Sequence, residues 1–423
     1  MHTPIKNLLP GATLGVLGGG QLGRMFVHCA QRMGYQTVVL DPDPQSPAGL
    51  VSHHHVVADY ANAQGLRELI HLCDAITTEF ENVPAHVLKE LAAHLPVNPS
   101  AYAVSIAQDR IREKKHFTDC NVPVAPFHVI TDQKDLDTVS GHVLPGILKT
   151  ARLGYDGKGQ IRVKTQGELQ TAWKQLQSQG EDNEPMPCVL EKLLPLEFEC
   201  SIVLARNESG HIVHLPPQRN IHRDGILALT QVHAGCLPQA LEEQVIEFAS
   251  AIASQLEYVG VLCVEFFVLK KSHSDALSSK DKAYELVVNE IAPRPHNSGH
   301  YSVEACDISQ FELQVRCLAN LPLTRPRQLC PALMLNLLGD LWLDPLCAPT
   351  HPQWREPDWS ALLAIEGVHL NLYGKQEPRL LRKMGHITIT SKDIEALYKT
   401  LDEITHILAL PDFERPSPKT SLL

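Results

Sequence analysis

Residues 13–23, TLGVLGGGQLG, constrain the fold more than any other stretch of the chain. A short apolar run leads straight into Gly18, Gly19 and Gly20, and Gly23 follows within a segment that places Leu22, Phe26 and Cys29 on one helical face. That order reads as a buried strand turning tightly into a helix. QTVVLD at 36–41 supplies the next strand, and DAITTEF at 74–80 extends the alternation to a doubly wound α/β sheet. A helical run from Ser100 to about Phe117 closes this part, and NVPVAP at 121–126 reads as a linker. The first domain is therefore expected to span 1–119.

Beyond it the pattern changes to short strands and glycine loops: GILK at 146–149, LGYDGKG, QIRVK at 160–164, a helix near 167–178 and CVLEKLL at 188–194. A β-rich section follows, with FECSIVLA, HIVHLP, GVLCVEFFVL and YELVVNEIAP as strands and a helix at roughly 241–257. KKSHSDALSSKDKA reads as an exposed loop, HITITS and DIEALYKTLDEITHIL as a closing strand and helix, and PSPKTSLL as a loose tail. A chain of 423 residues holds two to four domains, and we expect a small one at 120–205 and a larger one at 206–423.

Charge narrows the function. With 48 acidic against 37 basic side chains the net charge is −11, which disfavours general affinity for nucleic acid or an anionic membrane. The 11 cysteines include no C-x-x-C and several sit in apolar runs, a usage that fits a reducing cytoplasm. The N-terminus has no signal-peptide pattern, and the most hydrophobic segment, 331–343, is interrupted by Asn336 and Asp340 short of the ~20 apolar residues a spanning helix needs. A soluble, cytoplasmic protein is expected.

Five groups of residues could carry chemistry. The turn Gly18–Gly23 satisfies G-x-G-x-x-G, with Asp41 ending the next strand; it can present amides to a phosphate, hold a dinucleotide, or simply make a tight turn. Lys149 ends a strand and is followed by Leu153–Gly159, a lysine beside a glycine flap suited to nucleotide phosphates but without the Walker A order. Glu265 and Glu290 each interrupt an apolar strand. Two such carboxylates suggest a shared cation, with Mg2+ the natural candidate and Asn289 adjacent; the alternative is the solvent face of an amphipathic strand. Arg294, His296, Asn297 and Ser298 follow Glu290 on a donor-rich loop, and Lys375, Arg379, Arg382 and Lys383 form a cationic cluster. The His53–His54–His55 run has no companion ligand at metal spacing and reads as a surface loop.

Taken together, GGGQLGRM (18–25), LGYDGKGQ (153–160), RNIHRDGIL (219–227), YVGVLCVEFF (258–267), NEIAPRPHNSGH (289–300), SQFELQVRCLANLPL (309–323) and the YGK and RKMGH segments resemble the ATP-grasp enzymes. Within them the similarity is to the N5-carboxyaminoimidazole ribonucleotide synthetases of purine biosynthesis. The resemblance implies an ATP-grasp fold with a Rossmann-like N-terminal domain, a small lid and a large C-terminal domain. It implies an ATP-dependent ligase that phosphorylates bicarbonate to carboxyphosphate and passes the carboxyl group to 5-aminoimidazole ribonucleotide, giving N5-carboxyaminoimidazole ribonucleotide, ADP and phosphate.

By match to the family motifs, ATP would be held by Arg110, Lys149, Gly154, Gly157, Gly159, Glu191, Lys192, Glu199, His222 and Asn289. Tyr155, Asp156, Lys158, Arg294, His296, Asn297 and Lys375 would be catalytic. Gly20, Gln21, Leu22, Glu79, Asn82, Arg379 and Arg382 would bind the ribonucleotide, and Glu265 and Glu290 would hold Mg2+ or Mn2+. The loop at 271–283 is longer than the family pattern, and the spacing from Lys375 to Arg382 varies there, which bears most on Arg379. The resemblance also implies a homodimer and a separate mutase that takes the product. Rival readings are a formate-using ligase acting on glycinamide ribonucleotide, which needs the same flap and metal pair, an NAD-dependent oxidoreductase, which leaves Lys149, Glu265 and Glu290 unexplained, and a non-catalytic nucleotide-binding module.

Overall fold

A computed structural model describes residues 7–152, 159–178, 186–270, 284–343 and 354–415. The expected flap residues 153–158, the polar loop 271–283 and the tail 416–423 lie outside the described residues.

The first sheet is parallel and contains β1 (Thr13–Leu17), β2 (Gln36–Leu40), β3 (His54–Val56) and β4 (Ala75–Thr78) in the order β3-β2-β1-β4. Gly18 turns the chain out of β1 with φ +106°, a conformation L side chains rarely adopt. A Cβ on Gly23 would stand 2.7 Å from the Gly18 carbonyl, so glycine lets the helix Gln21–Arg32 start against the end of its own strand. That helix buries Leu22, Phe26, Val27 and Ala30, whereas the expected single helix over 100–117 divides into Ala101–Ala107 and Arg110–Asp119. The break falls at Asp109, whose carboxylate accepts from the Ile111 and Arg112 amides and starts a new helix; apolar periodicity does not register such a cap.

The second sheet is small and antiparallel, with β5 (Phe127–Ile130), β6 (Gly146–Thr150), β7 (Gln160–Val163) and β8 (Cys188–Lys192) in the order β5-β8-β6-β7. The helix Gln166–Gln177 covers it with Leu169, Ala172, Trp173 and Leu176.

The third sheet organises the rest. It comprises β9 (Leu196–Arg206), β10 (Ile212–His214), β11 (Gln218–Arg223), β12 (Ile226–Val232), β13 (Gly260–Lys270), β14 (Tyr284–Ala292), β15 (Ala332–Leu338), β16 (Val368–Leu372) and β17 (Lys383–Thr390). Its order is β14-β13-β9-β11-β12-β15-β17-β16, with β10 beside β9 and every pair antiparallel. The helix Gln239–Gln255 packs Val245, Ala249 and Ile252 onto Ile202, Leu204, Leu262 and Val264. Because β9 pairs with β11 and β13, the boundary expected at 205 leaves ten of the eleven residues of a large-sheet strand with the small unit. The apolar run FECSIVLA announces a buried strand but not its partner, and a division at 195 keeps the strand whole.

The three units meet through two helices. Arg110–Asp119 runs from the first sheet to β14, where Glu113 Oε1 accepts from the Ile291 amide at 2.8 Å. Gln310–Leu318 presses Phe311, Val315 and Leu318 against Leu22, Phe26 and Val27 of the first unit. Among the described residues no helix is long and apolar enough to cross a membrane.

Candidate functional site

On β6 and β8 the register pairs Lys149 with Val189, which places Lys149 diagonally opposite Glu191 on one face. Lys149 Nζ donates to Glu191 Oε2 at 3.1 Å, and Lys114 Nζ, from the helix Arg110–Asp119, lies 3.4 Å from the same oxygen. Burial alone would raise the Glu191 pKa, but the two ammonium groups outweigh it and hold the carboxyl down to about 2. Burial lowers that of Lys149, partly offset by Glu191. Lys114 also donates to the Asn289 carbonyl at 2.9 Å, and Arg110 Nη1 donates to Glu290 Oε2 at 3.2 Å. One helix thus links the small sheet to β14. Lys114 was not singled out from the sequence, because RIREKKHF contains four cationic side chains and nothing in the pattern marks the buried one.

Glu265 on β13 stands opposite Glu290 on β14, and the next ladder pair is Phe266 with Val288, so Asn289 is the extra residue of a bulge. A bulge lets two consecutive residues oppose one partner, which brings Asn289 and Glu290 together across from Glu265. The solvent-face alternative does not describe Glu265, whose side chain is only 12% exposed, whereas that of Glu290 is 40% exposed. His296 Nε2 lies 2.9 Å from Glu265 Oε1. Burial favours a protonated Glu265, but His296, His222 and Arg294 outweigh it and hold the group down to about 2. Asn289 Oδ1 is buried with no hydrogen-bond partner among the described residues. Two carboxylates in register and a spare amide oxygen form an oxygen-rich donor set that fits a hard divalent cation.

Nearby, Glu199 on β9 and His222 on β11 sit diagonally across one ladder, with His222 Nδ1 2.7 Å from Glu199 Oε2. Burial works against a charged His222, but Glu199 outweighs it and pushes the imidazole pKa up.

The opposite wall comes from the first unit. Glu79, at the end of β4, accepts from the Gly20 amide at 2.6 Å and the Gly23 amide at 2.7 Å. Amides expected to meet a substrate phosphate thus already meet a carboxylate, which the positive end of the helix favours equally well. Burial raises the Glu79 pKa, and the two amides and the Lys375 charge oppose it. Asp41 accepts from the Gly19 amide at 2.7 Å and from the Tyr60 hydroxyl at 2.7 Å. Lys375 follows β16 and donates to the Lys383 carbonyl at 2.8 Å, while its neighbour Gln376 donates to Gln45 of the first unit at 3.3 Å. Arg294 Nε donates to Glu81 Oε2 at 2.5 Å. Glu81 escaped the sequence reading, which chose its neighbours Glu79 and Asn82 within TTEFENVP.

Not every expected residue joins this cluster. Arg379 is on the surface with its guanidinium on Glu377, Arg382 donates to the Glu377 carbonyl, and Asn82 is exposed. Lys192 ends β8, and Gly159 sits at φ +69° with its carbonyl taken by the Thr150 amide. Asn297 is buried beside His296, its Nδ2 without a partner among the described residues. Gly154, Tyr155, Asp156, Gly157 and Lys158 lie outside the described residues. The histidine run does not converge: His53 Nδ1 meets the Thr37 amide and His54 Nε2 meets Glu68.

Comparisons with known proteins agree with this layout. Residues 11–108 match the ribonucleotide synthetase preATP-grasp domain, 115–311 the ATP-grasp domain, and 332–400 the phosphoribosylaminoimidazole carboxylase C-terminal domain. An N5-carboxyaminoimidazole ribonucleotide synthase from Brucella melitensis is 39% identical over 387 residues, covering 90% of this chain and 97% of that protein. Among solved structures, an ADP complex of an N5-carboxyaminoimidazole ribonucleotide synthetase superposes with a TM-score of 0.82 at 34% identity, over 96% of this chain and 99% of that one. An N5-carboxyaminoimidazole synthase from Aspergillus clavatus, in complex with ADP and 5-aminoimidazole ribonucleotide, gives 0.79 at 28% identity, over 94% and 99%. By fold, by site and by relatedness along nearly its whole length, the chain belongs to the N5-carboxyaminoimidazole ribonucleotide synthase family of ATP-grasp ligases.

Proposed function

We propose that the protein carboxylates 5-aminoimidazole ribonucleotide with bicarbonate at the expense of ATP, through carboxyphosphate, yielding N5-carboxyaminoimidazole ribonucleotide, ADP and phosphate. The observation that carries this reading is Glu265 and Glu290 in register across two strands, with the Lys149–Glu191–Lys114 network on one side and Lys375 and Arg294 on the other. The first unit, 1–119, would present the ribonucleotide, and units 120–195 and 196–423 would hold ATP between them.

Bicarbonate is a poor electrophile, and phosphorylation gives it a leaving group. Lys149 and Arg110 place positive charge where the nucleotide phosphates would lie, and Glu199 with His222 would meet the ribose hydroxyls. Glu191 and Lys192 would border the adenine. Glu265, Glu290 and Asn289 would hold Mg2+, which when bound offsets charge as the γ-phosphoryl group moves. Arg294, His296, Asn297 and Lys375 would then orient the carboxyl group against the ribonucleotide amine, between Glu79 and the C-terminal strands. Bicarbonate as co-substrate and a homodimeric state rest on the family resemblance, and light scattering tests the second.

The test of the activity is phosphate release from MgATP with 5-aminoimidazole ribonucleotide, with and without bicarbonate, alongside detection of the carboxylated product. Bicarbonate-dependent product is expected. Turnover that needs formate instead, or bound nucleotide with no turnover in any combination, overturns the reading.

A further inference from the structure

Cys263 has no part in the reaction described above, yet it lies against two residues that do. It precedes Glu265 by two positions on β13, so both side chains leave the same face of the strand. His296 reaches that face from the loop after β14. Cys263 Sγ, a Glu265 carboxylate oxygen and a His296 ring nitrogen all lie within 4.8 Å of one another.

We propose that Cys263, Glu265 and His296 form a second, softer metal site that takes Zn2+ or another thiophilic divalent cation and, by withdrawing Glu265 from its pairing with Glu290, blocks turnover. This rests on the assignment of Glu265 to a hard cation in the proposed reaction.

The donor set distinguishes the two sites. Mg2+ demands oxygen ligands and disregards sulfur, whereas one thiolate, one imidazole and one carboxylate suit tetrahedral zinc with the fourth position open. Bonds of ~2.0–2.3 Å place tetrahedral ligand atoms roughly 3.3–3.8 Å apart, so atoms within 4.8 Å of one another have on the order of 1 Å to close. As the metal–sulfur bond forms, the thiol proton leaves to solvent.

The surroundings hold the imidazole in place before any metal arrives. His296 Nδ1 pairs with Ser298 Oγ at 2.9 Å, which directs Nε2 toward Glu265. Ser298 Oγ is held in turn by Ser201 Oγ at 2.9 Å and lies 4.0 Å from Cys263 Sγ. The Gln310 side chain grips the His296 backbone from both ends, accepting from its amide at 2.9 Å and donating to its carbonyl at 2.8 Å. Partners of this kind orient metal-binding histidines and contribute to metal affinity. A zinc ion drawing on the Glu265 carboxylate takes up its negative charge and sets a second positive charge beside the hard-cation site, so occupancy by the soft ion weakens binding of the hard one.

The full-length protein is titrated with Co2+ alone, read by the near-ultraviolet thiolate-to-cobalt absorption, and then with Zn2+. A band in the wild-type protein that Zn2+ erases and that Cys263→Ala lacks is expected; Cys263→Ser, which keeps the side-chain shape, guards against a folding defect in the alanine variant. In phosphate-release assays at saturating Mg2+, each protein normalised to its own zinc-free rate, half-inhibition of Cys263→Ala should need at least about tenfold more Zn2+. No thiolate band in the wild type, a band that survives both substitutions, or equal zinc inhibition of wild type and variants overturns the proposal. The cobalt reading needs no turnover, so it fails separately from the proposed reaction.

Discussion

Single residues here do work that burial makes measurable. Glu113 is enclosed beside β14, and burial pushes its carboxyl up to about 8 from an ordinary 4.5, with Lys114 opposing. Between those values the folded protein keeps a proton that the unfolded chain has released, so stability contributed by Glu113 is full below pH ~4.5 and is lost as pH rises through about 8. Glu113→Gln, which can still accept from the Ile291 amide, should flatten the fall of unfolding free energy between pH 5 and 8 on a scale of roughly a few kcal/mol; an unchanged slope by calorimetry would show that Glu113 is already ionised. Glu191 has the opposite sign: with its pKa depressed to about 2, its contribution is present above 4.5 and is lost as pH falls toward 2. Lys114→Met removes one of its two cations but leaves Lys149, and should cost about 1–3 kcal/mol in denaturant unfolding; adding Glu191→Leu should deepen the loss, because Lys149 is then buried without its carboxylate. Acidic interruptions of apolar strands made Glu265 and Glu290 visible in the sequence. Glu81, Glu113 and Lys114 stand among other charged residues in polar segments, where only the fold decides which side chain is enclosed.

At the scale of elements, the strand-turn-helix at 13–32 was legible because Gly18, Gly20 and Gly23 leave few alternatives. Gly23→Ala would set a Cβ 2.7 Å from the Gly18 carbonyl and 3.4 Å from the Glu79 carboxylate, forcing the helix Gln21–Arg32 away from β1. A loss of about 1–3 kcal/mol in Tm-derived stability is expected, with weaker binding of the ribonucleotide than of ATP; a wild-type melting curve would refute the close packing. The helix Arg110–Asp119 was read as the tail of a longer one. Its cap Asp109 also pairs with Arg152, and through Arg110 and Lys114 the element reaches Glu290 and Glu191. Asp109→Ala should cost about 1 kcal/mol and raise the KM for ATP, whereas a KM change confined to the ribonucleotide would place this helix elsewhere in the reaction. Turn chemistry marks where a helix starts, but partners across sheets, such as β9 with β13, depend on contacts far apart in the chain.

Across the whole molecule, the loop after β16 comes back onto the first unit. Gln376 touches Gln45, and the Lys375 charge acts on Glu79 some three hundred residues earlier in the chain. Lys375→Ala should therefore raise the KM for the ribonucleotide by about tenfold or more while leaving that for ATP nearly unchanged, because the proposed function sets the two substrates on different walls; equal effects on both would contradict this division. The sequence showed the cationic cluster at 375–383 but not that Arg379 and Arg382 lie with Glu377 on the surface, since spacing along an irregular loop says little about direction. The carboxylate strands β13 and β14 and the strands β16 and β17 that flank this loop are opposite ends of one continuous sheet. The proposed function thus sets the energy-coupling chemistry at one margin of the scaffold and the choice of acceptor at the other. A lineage could exchange the hairpin between β16 and β17 for one that greets a different amine and leave the nucleotide margin untouched, so new ligases would arise by editing a single connection.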